Sequence, residues 1–181
     1  MVVRLRNGEH GFGVVSRTLH WLTATAIAVQ FVIGYLLDGE SSGRGRGRGR
    51  SGESGRGRGR GGGYDVFGDD ALVTAHVVLG LSILTLAVVR LVWRLATPLP
   101  PWPPTLSPLE RTLAHWTERA LYVLMFAIPA SGLWLVLADD DDVLWAHVSA
   151  HVAFFVAITL HVGLALKHQL IDRDRFLRRM L

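Results

Sequence analysis

Four stretches of the chain, 16–37, 71–95, 113–138 and 143–171, are dominated by apolar residues, and polar or proline-rich segments separate them. Each is long enough to cross a hydrocarbon core of about 30 Å, which takes roughly 20 helical residues. None alternates apolar and polar positions with the period of two that a barrel strand requires, so the pattern predicts helices. The expected fold is all-α, an integral membrane four-helix bundle. Residues 1–15 form a short N-terminal segment ahead of one transmembrane domain, 16–181. The first apolar run has a superficial likeness to a signal peptide. At 22 residues it exceeds a typical h-region, holds His20 and Gln30 and lacks a small-residue cleavage site, so it reads as a retained helix.

The connections differ sharply in character. Residues 41–63 contain no apolar side chain and repeat Arg-Gly, a composition too glycine-rich to fold and too charged to bury. A disordered extramembrane loop is expected there. The second connection, TPLPPWPPTLSP, is a stiff proline-rich link, and the third carries four consecutive aspartates, Asp139–Asp142, in a tight solvated turn.

Composition excludes whole classes. Of 181 residues, 50% are hydrophobic, and the mean hydropathy is +0.32 even with the Arg-Gly tract included, which rules out a soluble globular domain. Cysteine is absent, so disulfides, thiolate metal sites, Fe–S clusters and c-type haem attachment are excluded. Any metal must be held by histidine. Lys and Arg divide between the two membrane faces as twelve on the side of the termini and seven on the other, all seven within Arg44–Arg60. By the positive-inside rule both termini are cytoplasmic. The acidic flanks Asp38, Glu40, Asp65, Asp69 and Asp70 point the same way. Arg-Gly repeats mark RNA binding in some soluble proteins, but a tract facing away from the cytoplasm meets no RNA, so no nucleic-acid partner is expected.

Histidine is costly in a bilayer unless it is paired, ligated or facing a cavity, and the chain has eight. At about 1.5 Å of rise per residue, His20 and His161 fall near the inner side of helices one and four, and His76 and His147 near the outer side of helices two and four. The 14 residues from His147 to His161 amount to about 21 Å of rise and bring the two within roughly 40° of one helical face. Helix four thus offers an imidazole at each level, with His20 opposite at the inner level and His76 at the outer. Two opposed imidazoles across a bundle core suit six-coordinate haem iron, and two such pairs imply two stacked b-type haems. A zinc site would need three or four ligands at one level. Small residues four positions on, Ala24, Gly80 and Ala165, leave room for a flat macrocycle.

The other histidines are weaker candidates. His151, one turn after His147, is the main rival for the outer ligand. His115 fits a boundary or propionate contact, and His168 a headgroup or propionate contact beyond the hydrocarbon edge. His10 lies in the glycine-containing terminal segment. Arg17, Arg90, Arg94 and Lys167 fall near the inner boundary, where they could pair with propionates or simply set topology. Trp21, Trp93, Trp102, Trp116, Trp134 and Trp145 sit at helix ends as interfacial anchors.

These residues resemble the bacterial cytochrome b561 family, which is related to the membrane b-type cytochrome subunits of hydrogenases and formate dehydrogenases. The resemblance runs over nearly the whole chain. It is carried by LHW at 19–21, H-V-x-x-G at 76–80, V-R-L-x-W-R-L at 89–95, L-A-H at 113–115 with Tyr122 seven later, P-x-S-G at 129–132 and W-x-H-x13-H-x6-H at 145–168. It implies His20, His76, His147 and His161 as axial ligands of two haem b groups. It also implies electron transfer across the cell inner membrane with quinone, such as ubiquinone, as partner, and in some members superoxide as the electron source. An alternative is a haem b anchor subunit that docks on a soluble redox partner protein. The pattern departs from the family at Glu118, where a histidine is common, and at Val148, where an acid is common. The Arg-Gly insertion is not a family feature.

Overall fold

The computed structural model describes residues 5–8, 11–43, 71–138 and 141–174. Four helices follow in order, α1 (Val14–Gly43), α2 (Ala71–Ala96), α3 (Pro108–Ala138) and α4 (Leu144–Leu170), with a short 3-10 turn at Asp141–Val143 ahead of α4. All four are long and apolar enough to cross a membrane. Their backbones pack in chain order, α1 beside α2, α2 beside α3 and α3 beside α4. The fourth side stays wide: no Cα of α1 comes within 8 Å of one of α4 among the described residues. Side chains alone bridge it, and the ring of Phe31 stands 5.8 Å from Phe154 and 4.5 Å from Phe155.

The buried core is small. Ala87, Met125 and Phe154 form it, with Ile27 and Phe31 of α1 and Leu121, Leu124 and Ile158 packed around them. The exterior is apolar instead: Val32, Val92, Val123 and Val152 are each more than half exposed. A continuous apolar surface of this kind is covered by lipid rather than water, and the chain is a multi-pass membrane protein. Several hydroxyl groups within the helices are satisfied locally. Thr23 donates to the Leu19 carbonyl at 2.6 Å and Thr159 to that of Phe155 at 2.7 Å, one turn back in each case.

Two helix bounds differ from the apolar runs for physical reasons. α3 begins five residues early because Ser107 and Glu110 form a reciprocal cap around Pro108. The Ser107 backbone N–H and hydroxyl donate to Glu110 Oε2 at 2.9 and 2.8 Å, and the Glu110 N–H donates to Ser107 Oγ at 3.3 Å. α1 continues six residues beyond its apolar run, because a helix satisfies its own backbone in water as well as in lipid. Residues 41–43, expected in the disordered loop, are therefore helical. The Arg-Gly tract from Arg44 onward, His10, and Asp139 and Asp140 lie outside the described residues.

The segment before α1 is tied beneath the bundle. Asn7 donates to the Pro98 carbonyl at 3.1 Å, and its Oδ1 accepts from the Gly13 N–H at 3.0 Å and the Ser16 hydroxyl at 2.7 Å. A Cβ at Gly13 would collide with the Leu5 and Arg6 backbone that crosses it, so only glycine fits. Trp93, expected as a lipid anchor, donates its indole N–H to Ser16 at 2.9 Å and so joins α2 to α1.

Candidate functional site

At one level of the bundle His20 of α1 and His161 of α4 face each other across the wide side, ring centroids 6.3 Å apart and planes inclined at 47°. Imidazole nitrogens bind first-row metals at about 2 Å, and each lies about 1 Å from its ring centre, so two rings on opposite sides of one metal stand about 6 Å apart. The spacing fits bis-imidazole ligation of an iron between α1 and α4. Arg90 of α2 brings Nη2 to 2.9 Å from Nδ1 of His20. Arg90 and Arg94 both lie over the Tyr122 ring, at 5.6 and 5.8 Å, and Arg94 pairs with Glu118 at 3.0 Å. Glu118, which stands where the family often has histidine, is thus the counter-ion of Arg94.

At the other level a cavity of about 240 Å³ lies among all four helices, lined by His76 of α2 and His147 and His151 of α4, with Gln30, Gly80 and Gly132 between apolar side chains. That volume falls just below the usual range for a ligand pocket, about 300–1,000 Å³, and residues of both α1 and α4 already line it. Two buried atoms here, Nδ1 of His76 and Oε1 of Gln30, have no hydrogen-bond partner among the described residues, which is costly unless a bound group supplies one. Gln30 itself is fixed, donating Nε2 to the His76 carbonyl at 2.9 Å. The donor set, neutral imidazoles in an apolar cleft, fits a haem and not a hard cation.

Glycines hold the imidazoles close to the helices. A Cβ at Gly34 would meet Cε1 of His76 at 3.5 Å, and one at Gly132 would meet Cε1 of His147 at 3.1 Å. Gly80, picked out by its spacing from His76, backs Gln30 at 3.4 Å rather than the imidazole. Gly34 was missed because it is on the partner helix, and sequence spacing measures only one helix at a time. Gly132 stands in the P-x-S-G motif but had no assigned neighbour.

His151 lies in the same cavity, edge-on to His147 with ring centroids 4.5 Å apart and 5.5 Å from Phe31. His115 packs edge-on to its neighbour Trp116 at 6.3 Å. His168 differs from expectation: instead of reaching the headgroups it is fully buried in an acidic nest. Its Nδ1 lies 2.8 Å from Asp174 and 3.1 Å from Asp172, and Nε2 is 3.6 Å from Glu110. Lys167 bridges Glu110 and Asp172, at 2.7 Å from each. Thr105 donates to Asp174 at 2.7 Å. The nest locks the end of α4 to the start of α3, and carboxylates, rather than lipid, gather the local cations. Arg17 donates to the Phe12 carbonyl at 2.9 Å. Arg90, at the inner boundary, is in contact with a candidate ligand, His20.

The family model described as prokaryotic cytochrome b561 matches residues 11–181. Among curated proteins, the chain is 29% identical to cytochrome b561 homolog 2 of Escherichia coli K12 over 97% of this chain and 93% of the relative. It is 30% identical to a probable superoxide oxidase, CybB, of Yersinia pestis over 59% of this chain and 72% of the relative. To a cytochrome b562 of Cereibacter sphaeroides it is 34% identical over 59% and 65% of the respective lengths.

Proposed function

The chain belongs to the prokaryotic cytochrome b561 family and is a membrane cytochrome b of electron transfer; from that premise we propose that it holds two haem b groups and passes electrons between the two membrane faces. In this reading His20 and His161 are the axial ligands of one haem and His76 and His147 those of the other. The observation that carries it is the 6.3 Å separation of the His20 and His161 rings, which matches two imidazoles on one iron. Bound at each level, haem b would supply a one-electron carrier. The residues of the chain supply the rest: four neutral imidazoles, glycines that let them sit close to the helices, and an apolar core of Ala87, Met125 and Phe154 that keeps water away.

The distribution of Lys and Arg supports a plasma-membrane protein with both termini cytoplasmic, so that the His20 level is inner and the His76 level outer. Quinone is the proposed partner. Superoxide is the proposed donor at the outer face, a reading supported by the likeness to the Yersinia pestis relative.

Haem stoichiometry of the purified protein tests the core of this proposal. Two low-spin haems per chain are expected. His147→Ala should remove the outer haem and keep the inner, whereas His151→Ala should keep both. A single haem in the parent protein, or a high-spin spectrum, would sink the two-site reading. A reporter fused to the C-terminus should remain cytoplasmic, and protease applied outside spheroplasts should cut within 44–60.

A further inference from the structure

We propose that Ser131 is a positioning residue of the outer site: its hydroxyl holds the His147 proton on Nδ1, presents Nε2 to the cavity and lowers the reduction potential of the haem bound there. The inference rests on the reading of His147 as an axial ligand.

Ser131 Oγ lies 3.0 Å from the Ile128 carbonyl and 2.9 Å from Nδ1 of His147. A hydroxyl has one proton, and a carbonyl can only accept, so the Ser131 proton goes to Ile128. Its oxygen is then left to accept from His147, which requires the proton on Nδ1. Nε2 keeps its lone pair for a metal. On the neighbouring position Gly132 leaves the ring room, since a Cβ there would press on Cε1 at 3.1 Å.

An acceptor on the N–H of a ligating imidazole does more than orient it. It draws the proton outward, makes Nε2 a stronger donor and so favours the oxidised, more positive iron. Pro129 sits inside α3 and, lacking an N–H, leaves out the usual bond to the Met125 carbonyl, and the Ser131 hydroxyl bonds Ile128 in the same turn. The inner site is built the other way. There the neighbour of His20 is the guanidinium of Arg90, whose positive charge would favour the reduced iron even after its hydrogen bond to Nδ1 gives way to a haem. The two levels therefore bias their haems in opposite directions.

The test is a redox titration of the haem-loaded protein followed by optical and low-temperature EPR spectra, for Ser131→Ala, Ser131→Thr and His147→Ala. One hydrogen bond of ordinary strength corresponds to about a fivefold change in the reduced-to-oxidised ratio, or about 40 mV for one electron. Ser131→Ala is expected to raise the outer-haem potential by up to that amount and shift its low-spin g values, with haem content and the inner haem unchanged. Ser131→Thr, which keeps the hydroxyl, should restore both. If Ser131→Ala leaves the outer haem unchanged, moves both haems equally, or is not rescued by threonine, the positioning role is overturned. If His147→Ala retains both haems, the ligand reading itself fails, whatever Ser131 does.

Discussion

Arg90 reaches from α2 to α1 and sets its Nη2 2.9 Å from Nδ1 of His20. Because a guanidinium only donates, His20 accepts through Nδ1 and carries its proton on Nε2, the nitrogen that would face an iron. Haem entry at the inner level therefore requires Arg90 to release His20, and a propionate carboxylate is a natural new partner for the freed guanidinium. A unit charge about 10 Å from the iron at an effective dielectric of about 20 is worth about 1.7 kcal/mol, about a 17-fold change in the oxidised-to-reduced ratio. Positive charge favours the reduced haem. Arg90→Ala should thus lower the inner potential by roughly 60–75 mV and weaken retention of that haem, leaving the outer one in place. A redox titration resolving two steps checks this, and an unchanged upper step would mean that Arg90 stays clear of the haem.

The two glycines against the outer imidazoles make a graded pair. At Gly132 a methyl group would stand 3.1 Å from His147, tighter than nearly all real contacts, whereas at Gly34 it would stand 3.5 Å from His76, an ordinary contact. Gly132→Ala should therefore reduce outer-haem occupancy substantially or turn its spectrum high-spin, and Gly34→Ala should leave both haems bound. Overpacking of this kind costs about 1–3 kcal/mol. Equal effects of the two substitutions would show that the imidazoles move freely on loading.

Much of this arrangement was legible in the chain because depth along a helix is linear in sequence. The 14-residue step from His147 to His161 put imidazoles at two levels, and the structure brings His20 opposite His161 and gathers His76 with His147 in one cavity. What sequence could not give was azimuth between helices. Gly34 against His76 and Arg90 against His20 depend on how α1 turns toward α2, which no single-helix periodicity encodes. His168 was misjudged for a related reason. Its depth, beyond the hydrocarbon edge, points to headgroups, but Glu110 from α3 and Asp172 and Asp174 from beyond α4 surround it. The Ser-Pro-x-Glu cap of α3 lies outside the apolar run, so apolar content alone places the start of α3 five residues late.

Glu110 has three structural contacts: it caps α3, binds Lys167 of α4 and stands 3.6 Å from the buried His168. Its removal should be felt as stability and not as chemistry. Glu110→Ala is expected to lower the thermal unfolding temperature of the haem-loaded protein in detergent by roughly a few degrees, because a cap is lost and the exposed ion pair contributes little. Both haems should remain. Loss of the inner haem in this variant would show instead that the acidic nest supports the His161 end of α4 directly.

The Arg-Gly tract supplies all seven cationic residues between α1 and α2. If superoxide is the electron source at the outer face, such a tract would raise the local anion concentration and the association rate, and salt would weaken it as the Debye length falls to about 8 Å at physiological ionic strength. The aspartates at 139–142 oppose that field, so the net attraction is modest. Deleting 44–60 should slow superoxide-driven haem reduction at low salt and flatten its ionic-strength dependence, with haem content and potentials unchanged. Stopped-flow reduction measured from low to physiological salt decides it. Equal rates with and without the tract at low salt would make it a passive insertion and leave superoxide as donor resting on the family likeness.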